Sequence, residues 1–484
     1  MNLERYRPVI DDFEAFHAAN HTPEDVTLRV RTGLRSVDAV RASLESQGFE
    51  LAAIPGLPDY LKVVDGPHSV AQTLDHWLGH LHIQQAVMAL PSLALAPRPG
   101  ERVLDLCAAP GGKTSHLAEL MEDRGCLVAV DPKEKRLRGL MSNLFRLGLS
   151  NVVVIASDGR ELPDGARFDR VLVDAPCSAE GNYRRHQGRL PTRDARFVRY
   201  VTELQTALLN RAIDLTRPGG RIVYSTCTFA PEENEGVVSR VLDRVRLVEG
   251  GDLPHAPGLT SWKGESFPDE MVRARRYYPQ HLDSGGAFVA VLKKVESAGD
   301  RKPATDGWSP IPVPFPGEDP DAAHERVETA RKDLLDRYGF DGQVLEDLGW
   351  LVRGENIWVQ TAGEWPVDGW KEGGWRVVST GLRAFRADSR GRETPSNQFL
   401  GRFAHHLGPQ RRRVLDDDEL RTLLAGDPVE DETLPAGPIA LIYHDWVIGR
   451  GMVGHGGLRH QIPSTQARRL GALLGINQTQ PEDG

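Results

Sequence analysis

Between residues 100 and 294, six short apolar runs, RVLDLC, CLVAVD, VVVIA, DRVLVD, RIVYST and AFVAVLK, alternate with stretches of helical spacing. A strand that is apolar nearly throughout has both faces covered, and a helix between successive strands is the crossover that parallel pairing requires. The pattern predicts an α/β, Rossmann-like fold: one parallel sheet between two layers of helix. Open sheets of this kind bind ligands outside the carboxyl ends of their strands. The residues that follow the six runs are therefore the ones to read for chemistry.

The rest of the chain divides around this core. Residues 3 to 19 space Leu3, Tyr6, Ile10, Phe13 and Phe16 as a helix face, and VTLRVRTGL, SVDAVRASLESQG, FELAAIP and YLKVVD follow. This predicts a small N-terminal α+β module over 1–74, ahead of the sheet domain at 75–294. VESAGDRKPATDGWSPIPVPFPG, 295–317, is rich in Pro, Gly and charge without periodicity and reads as a linker. A helical stretch near 320–338 and segments such as NIWVQ and IALIYHDWVIGRG make 318–484 a β-rich extension. Several units suit 484 residues, too many for one ordinary domain. No apolar run approaches eighteen residues, and MNLERYRPVIDDFEAF has acids where a secretory leader needs a basic start, so the expectation is a cytoplasmic protein without a membrane span. Four cysteines with no CxxC and no nearby Cys/His cluster argue against a disulfide framework and against a metal site.

LDLCAAPGGKTSHLAELM, 104–121, is a strand, a Gly-Gly turn and an amphipathic helix, a geometry that brings a ligand to backbone N–H groups at a helix N-terminus. It is not a phosphate loop, because Cys107 stands where that motif needs its first glycine, and the dinucleotide fingerprint G-x-G-x-x-G is missing too. Three acids sharpen the reading. Asp131 ends the second strand, twenty residues after Gly111, where a carboxylate accepts hydrogen bonds from ribose hydroxyls; Asp158 follows the third strand and Asp174 ends the fourth. Any one alone is a cap or turn residue as readily as a ligand. Together they face one crevice and suit a nucleoside without a pyrophosphate, which describes S-adenosyl-L-methionine.

Cys177, in VDAPCSAEG, follows the fourth strand, and Cys227, in VYSTCTFAPEENE, follows the fifth. Either alone reads as a small buried hydrophobe. Both beside a methyl-donor site meet a specific chemical need, since a thiolate is a strong nucleophile. Carbon 5 of a pyrimidine is too electron-poor to take a methyl group until a thiolate adds to carbon 6 and turns the ring into an enamine.

DLCAAPGGKT, VDAPCSAEGNYRR, VYSTCTFAPEENE and RRYYPQHLDSGGAF together resemble the Sun-type family of RNA cytosine-5 methyltransferases. The likeness covers residues 75–294; the front module is similar to that family's N-terminal RNA-binding module, and GRGMVGHGGLRHQIP resembles the C-terminal, PUA-like extension of its RsmF type. The resemblance implies that Cys107, Ala108, Ala109, Pro110, Gly111, Gly112 and Lys113 wrap the methionine end of the donor, Asp131 the ribose and Asp158 the adenine, with Asp174 between donor and base. Cys227 would be the nucleophile and Cys177 would assist release of the covalent adduct. Lys113 would orient Asp174, although alone it reads as a solvated helix lysine. The sequence departs from the family at three places: Arg31 of VRTG stands where asparagine is common, Ala179 where glycine is usual and Asn182 where threonine is common. The last two are expected to leave the chemistry untouched and to affect how the loop holds RNA.

The expected activity is thus cytosine-5 methylation of RNA, with 16S rRNA or the small ribosomal subunit as partner and the protein a monomer. A transfer RNA is the alternative substrate. A non-catalytic RNA-binding assembly factor is the rival from another class, and a nicotinamide enzyme a distant third. A net charge of −9 means that local patches must hold RNA, and RRHQGRLPTRDARFVR, 184–199, with six arginines and one acid, is the strongest.

Overall fold

A computed structural model describes residues 3–190, 194–251, 253–295, 308–311, 314, 315, 317–366, 376–387 and 391–474. Most of the expected linker therefore lies outside the described residues. The chain begins with a short 3-10 helix and α1 (Phe13–His21). A four-stranded antiparallel sheet follows, built from β1 (Val26–Val30), β2 (Glu50–Ile54), β3 (Leu57–Asp65) and β4 (Leu81–Ile83) in the order β2-β3-β1-β4, with α2 (Val37–Glu45) alongside. Its last strand comes from beyond residue 74, because Leu28 to Val30 pair with Leu81 to Ile83.

Five of the six apolar runs pair in parallel as expected. β5 (Arg102–Asp105), β6 (Cys126–Val130), β7 (Val152–Ala156), β8 (Phe168–Asp174) and β9 (Thr216–Thr226) lie in the order β9-β8-β5-β6-β7. The crossovers include α3 (Gly112–Leu120), α4 (Glu134–Leu147) and α5 (Ala195–Leu215). The sixth run differs. β10 (Arg275–Tyr277) and β11 (Ala287–Lys294) are antiparallel to each other, and β11 is antiparallel to β9. The segment joining β10 to β11 holds one helical turn, Pro279–Leu282, which is too short for a crossover. At the opposite edge β12 (Arg376–Thr380), from the C-terminal region, pairs antiparallel with β7 and covers an edge that would otherwise expose its backbone. The result is a Rossmann-like mixed sheet.

Leu3, Tyr6, Phe13 and Phe16 leave the N-terminal sheet and pack into the core on one face of the large sheet. Phe16 meets Phe229 edge-on at 5.1 Å and Tyr278 at 5.6 Å, which sets the first helices against the segment after β9. The other face is covered by α3 and α4, with Leu117, Leu137, Leu140 and Leu144 buried. Beyond the linker come α6 (Pro320–Asp336), a four-stranded sheet, α7 (Asn397–Phe403), a second four-stranded sheet and α8 (Ser464–Leu473). IALIYHDWVIGRG is a hairpin whose two turn residues, His444 and Asp445, have φ of 47° and 66°. Among the described residues no helix is long and apolar enough to cross a membrane.

One buried ion pair fastens the segment after β9 to β10. Arg276 Nε and Nη2 donate to Glu235 Oε1 and Oε2 at 2.7 and 2.5 Å, and Nη1 donates to the Phe229 carbonyl at 2.9 Å. Both side chains are essentially inaccessible, so removing one leaves the other charge buried alone. Arg276→Leu is expected to lower unfolding free energy by about 3–5 kcal/mol, read from the urea midpoint at constant slope.

Candidate active site

The parallel register brings the strand ends to one edge. Asp174 lies level with Ser225 across β8 and β9, Asp105 level with Leu172 and Ala129, and Asp131 donates its N–H to Ile155 of β7 at 3.2 Å. After β5 the chain turns through Cys107 to Gly112 into α3. Gly111 sits at φ 102°, which favours glycine, and a Cβ there would press on α4, 3.1 Å from Leu140 Cα.

Lys113, on the first turn of α3, is not a solvated helix lysine. Its Nζ bonds Asp174 Oδ2 at 2.8 Å and its side chain is mostly buried; burial disfavours its charge, but Asp174 outweighs that and raises its pKa. Ser225 Oγ donates to the other oxygen, Asp174 Oδ1, at 2.9 Å. Asp131 is buried, accepts from Lys133 N–H at 3.0 Å and pairs with Arg136 at 3.0 Å. Asp158 follows β7. Its carboxylate is held by Arg160 at 2.6 Å, which lowers its pKa, and it caps the short turn after β7.

Cys177 and Cys227 converge. Their sulfurs are 3.3 Å apart, too far for a disulfide and close enough for one thiol to donate to the other. Asn182 Nδ2 also donates to Cys227 Sγ, at 3.4 Å. The expectation that Asn182 leaves the reacting groups untouched is therefore corrected: an amide reaches the sulfur. The S–H of Cys177 donating to it, followed by the charge of Lys113, lowers the pKa of Cys227, while donation and burial raise that of Cys177. Ala179, the other departure in this loop, adopts φ 62° and ψ 28°, a left-handed conformation that costs a non-glycine residue about 1–2 kcal/mol.

Backbone contacts lock the two cysteine loops together. Gly181 N–H donates to the Cys227 carbonyl at 2.9 Å, and Gly286 N–H donates to the Gly181 carbonyl at 2.9 Å. A Cβ on Gly181 would sit 2.3 Å from that Gly286 carbonyl oxygen, so the glycines of SGGAF and AEGN are contact residues. Glu233 accepts from Ser178 N–H at 2.9 Å and from Gln205 at 3.0 Å, and Asn234 bridges Thr226 and Thr228. PEENE thus shapes the loop that presents Cys227.

The basic run after this loop is split by the structure. Arg184 is buried and donates to Asp283 at 2.8 Å and to the carbonyls of Thr22, Pro23 and Ser284, so it cannot contact phosphate as the charge pattern suggested. Arg185, Arg189, Arg196 and Arg199 are exposed, and Arg193 lies outside the described residues.

Sequence reasoning missed Asp105. It ends β5 fully buried, accepts from Thr114 Oγ1 at 2.8 Å, and stands within electrostatic reach of Cys107, Asp174 and Lys113. Its place at a strand end in RVLDLC was the available signal. Asp131 and Asp174 are each answered by a cation, Arg136 and Lys113, and Asp105 adds a third acid whose carboxyl burial pushes up. Ionisation of Asp105 would make this group net negative, which suits a donor carrying a sulfonium and an ammonium, and the first turn of α3 has N–H groups suited to a carboxylate.

Residues 92–293 match the family model described as 16S rRNA methyltransferase RsmB/F. The tRNA (cytosine(49)-C(5))-methyltransferase of Pyrococcus abyssi is 36% identical over 299 residues, 60% of this chain and 95% of that one. Ribosomal RNA small subunit methyltransferase F of Aeromonas hydrophila subsp. hydrophila is 32% identical over 329 residues, 66% of this chain and 68% of that one. A solved methyltransferase homolog protein from Pyrococcus horikoshii superposes with a TM-score of 0.55 at 34% identity, covering 60% of this chain and 94% of that one. Eukaryotic rRNA cytosine-C5 methyltransferases match at 35 to 37% identity, but the chain spans only 37 to 48% of their length.

Burial pushes the Asp105 carboxyl up to about 7, against the opposing hydrogen bond from Thr114 and with a further push from Asp174. An unfolded aspartate ionises near 3.9, so between about pH 4 and 7 the native state binds the extra proton and stability falls as pH rises. The contribution is complete below pH 4 and lost above pH 7. Asp105→Asn is expected to flatten this part of the curve of unfolding free energy against pH, a difference on the order of a few kcal/mol.

Proposed function

Because the chain belongs to the 16S rRNA methyltransferase RsmB/F family, we propose that it transfers a methyl group from S-adenosyl-L-methionine to carbon 5 of a cytosine in RNA. The observation that carries this reading is the sulfur pair, Cys177 and Cys227 at 3.3 Å, beside the Lys113–Asp174 ion pair at the strand ends. The donor supplies an electrophilic methyl group. Lys113 and Ser225 hold Asp174 between donor and base, while Asp131 takes the ribose, Asp158 the adenine and the Cys107 to Lys113 turn the methionine end.

Cys227 is the nucleophile in this reading. Cys177 S–H and the Asn182 amide both donate to its sulfur, which favours the thiolate. Addition at carbon 6 makes carbon 5 nucleophilic enough to accept the methyl group. The proton on carbon 5 must then leave before the carbon–sulfur bond breaks and returns its electron pair to Cys227. Cys177 is the group placed beside that bond. The base has to leave its stack for the sulfur to reach carbon 6.

The substrate we propose is 16S rRNA in the small ribosomal subunit, with the protein acting as a cytoplasmic monomer. The family description and the small-subunit relative support it. The tRNA relative, matched along 95% of its length, supports a transfer RNA as the second reading. Bisulfite sequencing of total RNA with and without the gene separates them: the first expects loss of a methylated cytosine in 16S rRNA, the second in a tRNA.

The cysteine roles are tested in one denaturing gel with substrate RNA and donor. Cys227→Ser is expected to lose turnover and form no adduct, since a hydroxyl is a far poorer nucleophile near neutral pH. Cys177→Ser is expected to methylate and stay attached, giving a protein–RNA band that survives denaturation. Exchange of the two lanes would reverse the roles.

A further inference from the structure

The N-terminal module, α4 and the C-terminal region meet around a cavity of about 480 Å³ that shares no residue with the site above. Four arginines line it: Arg31 from just after β1, Arg146 from α4, Arg402 from α7 and Arg469 from α8. Trp77 and Trp446, both half-buried, line it as well.

Their charges are scarcely compensated. Arg31 is 7% exposed, and among the described residues its guanidinium has no hydrogen-bond or ion-pair partner. Its Nη1 and Arg402 Cδ lie 3.7 and 3.6 Å from where a Gly148 side chain would be, so the two arginines converge. Among the described residues Arg146 donates only to neutral groups: the His76 and Leu81 carbonyls at 2.7 and 3.0 Å and His82 Nδ1 at 3.0 Å. Arg469 donates to the Ala71 carbonyl. Asp123 is 3.7 Å from Arg402 but already accepts from Ser150 N–H, Ser150 Oγ and Asn151 N–H. The neighbouring Glu119 is engaged bidentately by Arg29, and Asp75 by Arg35, His80 and Ser43. Burial brings Arg146 down to about 10, against the pull of Glu119 and with a further push from Arg29, Arg469 and Arg31. A buried guanidinium without a counter-charge is costly unless an anion completes it.

We infer that this cavity binds a backbone phosphate of the RNA, held by Arg31 and Arg402 with Arg146 and Arg469 around it. The volume admits a nucleotide unit, and the two tryptophans offer faces on which an adjoining base can stack. The identity of the anion rests on the RNA methyltransferase reading; the need for one rests on the arginines. In a chain of net charge −9, a built cation cluster at a three-way junction is where a polyanion can be gripped.

The test uses the full chain and a fluorescein-labelled RNA, with anisotropy measured across about 50 to 200 mM salt. Arg31→Asn is expected to weaken binding at least about five-fold at the low end and to make the slope of log K against log salt shallower by about 0.7–0.9, one phosphate contact. Arg31→Lys should keep most of the slope. Calorimetric binding of S-adenosyl-L-methionine should be unchanged in both, which shows that the fold and donor site are intact. An unchanged salt slope in Arg31→Asn with donor binding intact overturns the inference. Arg31-dependent binding of inorganic phosphate without a change in RNA slope also overturns it, because the cavity would then serve a free anion. If Arg31→Asn does not fold, Arg402→Gln carries the same forecast and an unchanged slope there overturns it. Failure of the enzymatic reading looks different: wild type would bind RNA with the same slope yet transfer no methyl group.

Discussion

Five strands paired in parallel end on the same edge of the sheet, and whatever follows each strand is delivered to that edge. Asp105, Asp131, Asp158, Asp174 and Cys227 are five such residues, spread over more than a hundred positions of sequence. Parallel pairing is possible only because helices carry the chain back between strands, and the helices stay because the strands are apolar on both faces. The crevice is therefore a consequence of hydrophobic burial. A one-residue slip of β8 against β9 would move Asp174 away from Ser225 and turn its side chain to the other face.

Register places the loops, but it does not fix their shape. The two cysteines sit on irregular backbone, where small displacements would separate sulfurs that lie 3.3 Å apart. Gly181 resolves this by joining both loops through backbone hydrogen bonds, to Cys227 on one side and Gly286 on the other. Glu233, Asn234 and Glu235 then fill the space behind with charged and amide groups held by named partners, although Glu233 Oε1 is buried without one among the described residues. Such polar packing is unforgiving, since a half-satisfied buried network is worse than an apolar one. It gives a loop with one shape.

The strand ends were legible in the sequence because apolar runs and the acids after them are local features. The direction of AFVAVLK was not, since periodicity is the same for a strand of either direction and only the short connection after β10 decides it. Arg184 looked like an RNA contact because a run of arginines says nothing about partners; Asp283 and Ser284, a hundred residues on, take it out of solvent. Arg31, Ala179 and Asn182 showed the same limit from the other side. Each was visible as a departure from a family pattern, but its consequence depends on a neighbour distant in sequence, a backbone angle or a cavity between three modules.

The two charge systems of the molecule differ in kind. Around the strand ends the cations are answered: Lys113 by Asp174, Arg136 by Asp131 and Arg160 by Asp158, while buried Asp105 keeps its proton up to about pH 7. At the module junction the surplus is positive, and the carboxylates that could balance it are tied to other donors. A cationic donor and an anionic strand would each find the complementary field, and neither system would need to rearrange its ion pairs to accept the other. A chain with net charge −9 can hold a polyanion on these terms, since the local surplus and not the sum is what a phosphate meets.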